Sequence, residues 1–304
     1  MKNCMMIALL LLVSTPPCWA GDIDLEQTYR QLDEAIAHSD QYVQQRESRI
    51  GQHRSALAAA RDDRARYEAC RHLYDEYHPY MNDSAIFYLD RCIALARGLG
   101  DRERVEECSI LLAYQCTESG MYHEAMDILS ELDGQQMADG NRQQYYSTLA
   151  HLYSELGYYC KVPRLQQEYY ARSDRFKHLI DTAGISTDEA LQIKELECYS
   201  AGDAQGALRY SDMRLQGVDE NSHQYAIVAF YRHLDYRLLG DSVQARYWVT
   251  QSALNDVKNA VMDQGAMWEL ANMLMADGDM DRAYRYIRFA WQCAGRFNTV
   301  KRNS

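Results

Sequence analysis

Four times beyond residue 100 a glycine is followed, five residues later, by an alanine: Gly120 and Ala125, Gly202 and Ala207, Gly240 and Ala245, Gly278 and Ala283. Gly157 with Val162 and Tyr80 with Ala85 fit the same frame more loosely. The anchors at 80, 120, 157, 202, 240 and 278 lie 40, 37, 45, 38 and 38 residues apart. A period near 38 is too long for one helix and right for two. The glycine marks the place where one helix stops and the backbone turns through positive φ. The alanine falls one turn into the next helix, where only a small side chain lets two helix backbones approach.

Between the anchors, apolar residues recur at helical spacing. Leu111, Leu112 and Cys116 lead into Gly120, and Ala125, Ile128, Leu129 and Leu132 leave it. Leu270, Met273 and Leu274, then Ala283, Ile287 and Ala290, do the same around Gly278. The four prolines include two, Pro16 and Pro17, in the N-terminal leader, so only Pro79 and Pro163 interrupt the rest. These features exclude an all-β sandwich or a glycine-rich nucleotide-binding fold. They predict an all-α, right-handed superhelical solenoid of about six helical hairpins over residues 62–295, followed by a tail over 296–304.

Ahead of the array, Tyr29, Ile36, Val43, Ile50 and Leu57 recur every seven residues, with Leu25 and Leu32 as a second row. This predicts a long amphipathic helix from about Asp24 to Ala59, within a segment 21–61. Its expected role is to cap the first repeat; dimerisation through a coiled coil is the alternative. Residues 1–20 read as a secretory signal: Lys2, an apolar run from Met5 to Val13, and Cys18-Trp19-Ala20 at the cleavage position. The expectation is a periplasmic protein cleaved after Ala20. Lipid attachment through Cys18 is the rival, with Thr15-Pro16-Pro17 a poor lead-in to it. Seven cysteines remain beyond residue 20, an odd number without a C-x-x-C pair, and read as small buried hydrophobes.

The hairpins resemble the tetratricopeptide repeat (TPR). Leu112-Ala113, Leu149-Ala150 with Tyr153, Leu270-Ala271 with Leu274, and the Gly-x-x-x-x-Ala turn carry that resemblance. The repeats run longer than the family's, lack its proline between repeats, and place Val162-Pro163 where the third alanine belongs. A narrower resemblance rests on Leu32-Asp-Glu-Ala-Ile36, Tyr42-Val43, Arg49-Ile50, Leu73-Tyr-Asp-Glu-Tyr77 and Asp83-Ser-Ala85. This looks like the DUF6377-type regulators of Bacteroidota, which join an exported TPR array to a membrane span and a cytoplasmic DNA-binding half. The resemblance implies that this sequence, ending at Ser304, is the sensor half without the span or cytoplasmic part.

No phosphate loop, H-E-x-x-H, G-x-S-x-G or complete calcium loop occurs, so no catalytic residue, metal or cofactor is expected. Asp277, Asp279 and Asp281 read as an acidic turn, because Arg282 and Arg288 occupy the positions where a calcium loop needs Gly and Glu. A net charge of −12 argues against nucleic-acid binding. Tyrosine is unusually abundant, 24 against five Phe, as suits an aromatic-lined binding surface. If the first helix of each hairpin faces the concave side, as the TPR resemblance implies, helical phase brings Tyr114, His151, Tyr199, Arg237 and Trp268 to a ligand groove. The expected function is non-enzymatic binding of a protein or peptide, with a glycan as second choice, in the sensory part of a membrane-anchored transcriptional regulator. A hydrolase or carbohydrate-processing accessory is the alternative. Trp291, Phe289 and Phe297 make the last helix apolar for an end cap, so docking or homodimerisation is expected at the N-terminal helix or the C-terminal end.

Overall fold

The computed structural model describes residues 23–181 and 186–297; the expected signal peptide and the last seven residues lie outside them. Among the described residues there are fourteen α-helices and no strand. Six antiparallel pairs form the array: α3 (Asp63–Tyr77) with α4 (Asn82–Gly98), α5 (Arg102–Ser119) with α6 (Tyr122–Ser130), and α7 (Asp139–Tyr159) with α8 (Pro163–Lys177). They continue as α9 (Thr187–Ser200) with α10 (Ala204–Leu215), α11 (His223–Leu239) with α12 (Ser242–Lys258), and α13 (Gly265–Asp277) with α14 (Met280–Phe297). This is the expected helical-repeat solenoid.

The turns form for the reason the repeat suggests. Gly120, Gly202, Gly240 and Gly278 all have positive φ, between 77° and 88°. The amide after each donates back across the helix end: Met121 to Cys116, Asp203 to Cys198, Asp241 to Tyr236 and Asp279 to Leu274, all at 2.9–3.0 Å. In three of them that next residue is Asp, whose carboxylate then caps the following helix. Asp203 accepts from the Gly206 amide at 2.8 Å, Asp241 from Gln244 at 3.0 Å and Asp279 from Arg282 at 3.1 Å. The acidic run at 277–281 therefore serves as a turn, with Asp277 paired to Arg246. Ala85, Ala125, Ala207, Ala245 and Ala283 are buried at the helix crossings. A Cβ at residue 240 would meet no atom within 4 Å, so Gly240→Ala tests backbone strain alone. It is expected to lower unfolding free energy by about 1–2 kcal/mol in denaturant titration.

Gly157 is different. It lies inside α7, not at its end, and a Cβ there would stand 2.7 Å from the Tyr170 ring. Its spacing with Val162 is not a turn anchor; the chain turns later, and Pro163 at the first position of α8 starts the next helix.

The N-terminal segment departs from the expected single helix. It forms α1 (Leu25–Ala37) and α2 (Ser39–Ala59), parted at His38. There the imidazole Nδ1 sits 2.8 Å from the Glu34 carbonyl, which the His38 backbone amide also uses, so the side chain competes with the helix ladder. The break lets the two halves serve different partners. Helix α2 packs on α3, the first repeat, whereas α1 crosses to the other end of the array and lies on α12. Tyr29, Leu32 and Ala35 of α1 share one buried cluster with Val249, Ala253, Leu270, Leu274, Tyr286 and Ala290. The first and last repeats meet directly as well: Met262 donates to the Pro79 carbonyl at 2.8 Å, and Phe297 and Cys293 join the cluster of Tyr77 and Tyr80. The stack is thereby closed on itself, and the apolar faces of α1 and α2 are consumed within the chain. Phe297 is buried and Phe289 packs between the two clusters, while Trp291 remains exposed. All seven cysteines of the described residues are free thiols, five of them buried.

Candidate functional site

Three sites emerge when the packed helices are followed inward. The first is a ring stack along successive first helices. Tyr74 of α3, His78 just past its end, Tyr114 of α5 and His151 of α7 stand in series, with centroid separations of 5.6, 6.5 and 5.1 Å. His151 Nε2 contacts Glu118 Oε1 at 2.5 Å. His78 Nδ1 donates to Gln115 Oε1 at 2.6 Å, and the Gln115 amide donates to Asn82 Oδ1 at 2.8 Å. Burial holds His78 below the usual imidazole range, so it is neutral. The Glu118 carboxylate and burial hold the Tyr114 hydroxyl well above the usual phenol range, with Tyr231 of α11 contributing from across the array. The inner wall here is occupied by the chain's own side chains.

The second is a buried charge centre joining α9, α10 and α11. Arg214 donates to Glu195 Oε2 at 2.6 Å and to Asp188 Oδ1 at 2.9 Å, and lies over the Tyr231 ring. Glu195 and Asp235 are each 1 % exposed. Glu195 Oε1 and Asp235 Oδ2 have no donor, although the two carboxyls interact with each other. A single proton held between the two carboxyls would satisfy both oxygens. Burial first, and then the Glu195 carboxylate, push Asp235 up to about 8, and burial also raises Glu195. Such shifted carboxyls suit acid–base chemistry only where a substrate reaches them. These two are sealed from solvent and line neither of the cavities described below.

The third is a cleft of about 550 Å³ at the seam where α1 and α2 meet α11, α12 and the loop before α11. A neighbouring hollow of about 340 Å³ shares Tyr42, Asn221 and Lys258 with it. Tyr42, Tyr225 and Tyr247 supply ring faces, and Gln31, Gln41, Asn221, Gln251 and Asn255 supply amides. Among its lining residues, Ala35 and Leu254 are the only aliphatic ones. Asn255 is 3 % exposed; its Nδ2 donates to the Gln251 carbonyl at 3.0 Å, while its Oδ1 accepts nothing. That oxygen has no surface open to the cleft, so the acceptors the cleft offers a ligand are the carbonyls of Gln31, Gln41, Asn221 and Gln251.

The structure distributes the five groove residues expected from sequence. Tyr114 and His151 are stacked together. Arg237 pairs with Glu269, beside Trp268, which is half-buried against the C-terminal cluster. Tyr199, half-buried on α9, joins neither group. Sequence reasoning missed the seam cleft, because its walls come from segments some 180 residues apart. The abundance of tyrosine was its one trace.

Among the described residues no three His, Cys, Asp or Glu side chains are gathered to hold a metal ion, and no helix is long and apolar enough to cross a membrane. No curated protein matches the chain. The SusR N-terminal TPR domain family matches residues 36–304, which spans α2 to α14 and leaves most of α1 ahead of the match; the chain belongs to that family.

Proposed function

We propose that this SusR-type TPR domain is a non-enzymatic, exported scaffold that receives a ligand in the seam cleft and forms the sensory part of a membrane-anchored transcriptional regulator of the DUF6377-like kind. TPR domains are generally scaffolds that mediate protein–protein interactions. The leader at 1–20 supports a periplasmic location, with lipid attachment through Cys18 as the alternative anchor. The reading of the site rests on one observation, a cleft of about 550 Å³ walled by Tyr42, Tyr225 and Tyr247 and lined with side-chain amides. An extended peptide supplies N–H donors to the amide carbonyls and apolar side chains to the rings; a glycan supplies hydroxyls and is the second choice. No nucleic-acid partner fits a net charge of −12.

The test is a thermal-shift screen of peptides and neutral glycans, followed by titration of the strongest hit against wild type and Gln251→Leu. Loss of the acceptor is expected to weaken binding by about tenfold. Undiminished affinity would remove Gln251, and with it the cleft, from the account. A second reading keeps the ligand on the inner face at Tyr114, His151, Tyr199, Arg237 and Trp268. It is favoured by the exposure of Arg237, and a hit sensitive to Arg237→Ala but not to Gln251→Leu would select it. Conversion of the hit into product would instead favour the hydrolase reading, for which Glu34 and Glu220 are the carboxylates lining the cleft.

A further inference from the structure

The last helix carries a second, outward face that the closed stack does not use. Ala283, Tyr286, Ala290, Cys293, Ala294 and Phe297 of α14 are buried, and Arg282 and Arg285 turn towards Glu26 and Asp33 of α1 at 3.0 and 3.4 Å. The opposite side presents Met280, Tyr284, Arg288 and Trp291 at helical spacing, with Arg296, also exposed, about 80° further round the helix than Arg288, towards Tyr80. Tyr284 is 67 % and Trp291 68 % exposed, the two most exposed large hydrophobic side chains of the described residues. No carboxylate pairs with Arg288 or Arg296 among the described residues.

Charge singles out the occupant. Asp281 is the last acidic residue of the sequence. From Arg282 to Ser304 there are Arg282, Arg285, Arg288, Arg296, Lys301 and Arg302 and no acid, in a chain whose net charge is −12. A terminal repeat exposed to water requires a polar outer face. A face that instead combines Trp and Tyr with unpaired arginines matches the boundary of an anionic bilayer. There amphipathic rings sit at headgroup depth and each arginine is attracted to lipid phosphate.

We infer that the outer face of α14 is a lipid-contact surface that seats this end of the array on an anionic membrane. The contact is peripheral: the helix lies along the headgroups, with its inner face still packed on α13 and α1. It requires no ligand in the seam cleft and stands apart from the sensory reading.

Vesicle co-sedimentation tests it, using phosphatidylcholine vesicles with and without phosphatidylglycerol. The chain is taken both whole and without residues 1–20, so that the apolar leader is not the source of binding. Wild type is expected to bind the anionic vesicles, and to bind them less at high salt. Arg288→Ala with Arg296→Ala is expected to reduce partitioning about 25-fold, roughly fivefold for each arginine, and Trp291→Ala roughly tenfold. All three positions are solvent-facing, so an unchanged unfolding midpoint accompanies these losses. Equal binding to neutral vesicles, no binding to either kind, or indifference to the double substitution would overturn the inference. So would a lipid-free dimer that Trp291→Ala dissociates, because a second copy of the chain would then be the occupant.

Discussion

Arg46→Met is expected to lower the unfolding free energy by about 3–5 kcal/mol and to open the seam between the first and last repeats. Arg46 is 5 % exposed although it sits on a surface helix. Its Nε and Nη2 both donate to the Asn259 carbonyl, at 3.1 and 2.7 Å, and Nη1 donates to the Glu76 carbonyl. One side chain thus ties α2 to the ends of α3 and α12. The Glu76 carboxylate lies 3.4 Å away and offsets part of a burial cost large enough to lower the guanidinium to about 10. Methionine keeps the length and removes every donor, which leaves two carbonyls at the end of a buried seam without partners. The adjoining backbone is already unfavourable: Ala260, the next residue, has φ of 48° without being glycine. Denaturant titration reads the loss, and hydrogen exchange should rise first at residues 259–262. Arg49→Ala is the control. Arg49 also reaches Glu76, but from the exposed side, and its removal should cost less than about 1 kcal/mol.

The buried carboxyl pair should make the domain less stable as pH rises. Asp235 has a folded-state value of about 8 against 3.8 when exposed, so folding favours its protonated form. That contribution is complete below about pH 4 and is lost as pH climbs through 8. Each pH unit removes up to about 1.4 kcal/mol, shared with Glu195 because the two titrate as a pair. Asp235→Asn is expected to flatten this slope. The asparagine amide can donate to Glu195 Oε1 in place of the shared proton, and Arg214 retains Glu195 and Asp188 as counter-ions. Unfolding free energies measured from pH 5 to pH 8 should fall in wild type and stay flatter in the variant. Parallel curves would show that the pair does not share a proton.

Much of the fold could be read because it is written locally. A Gly-Asp dipeptide stops one helix and caps the next within four residues, so the turns at 202, 240 and 278 needed no knowledge of distant contacts. The failures have the opposite character. Gly157 lies in the right register but meets the Tyr170 ring, and only packing distinguishes a close approach from a turn. The helix expected from Asp24 to Ala59 breaks at His38 because its two halves bind opposite ends of the array. One mark of this was present: the second row of the stripe runs Leu25, Leu32, Ser39, Arg46, turning polar where the partner changes. Arg46 could not be identified as the closure from that row, since its acceptors are backbone carbonyls some 30 and 213 residues away. The candidate site was less legible still. Tyr114 and His151 do come together, but helical phase alone could not show that Tyr231 approaches from across the stack. The cleft at the seam exists only after closure.

Hydrogen exchange on the domain with and without the strongest peptide or glycan from the screen tests the central claim, that closure of the array creates its ligand site. Protection is expected at residues 31–42, 220–225 and 247–258, three stretches that meet only at the seam, with the ligand recovered unaltered. Protection confined to the outer surfaces of α4, α6 or α8, or recovery of the ligand as cleaved product, would contradict it.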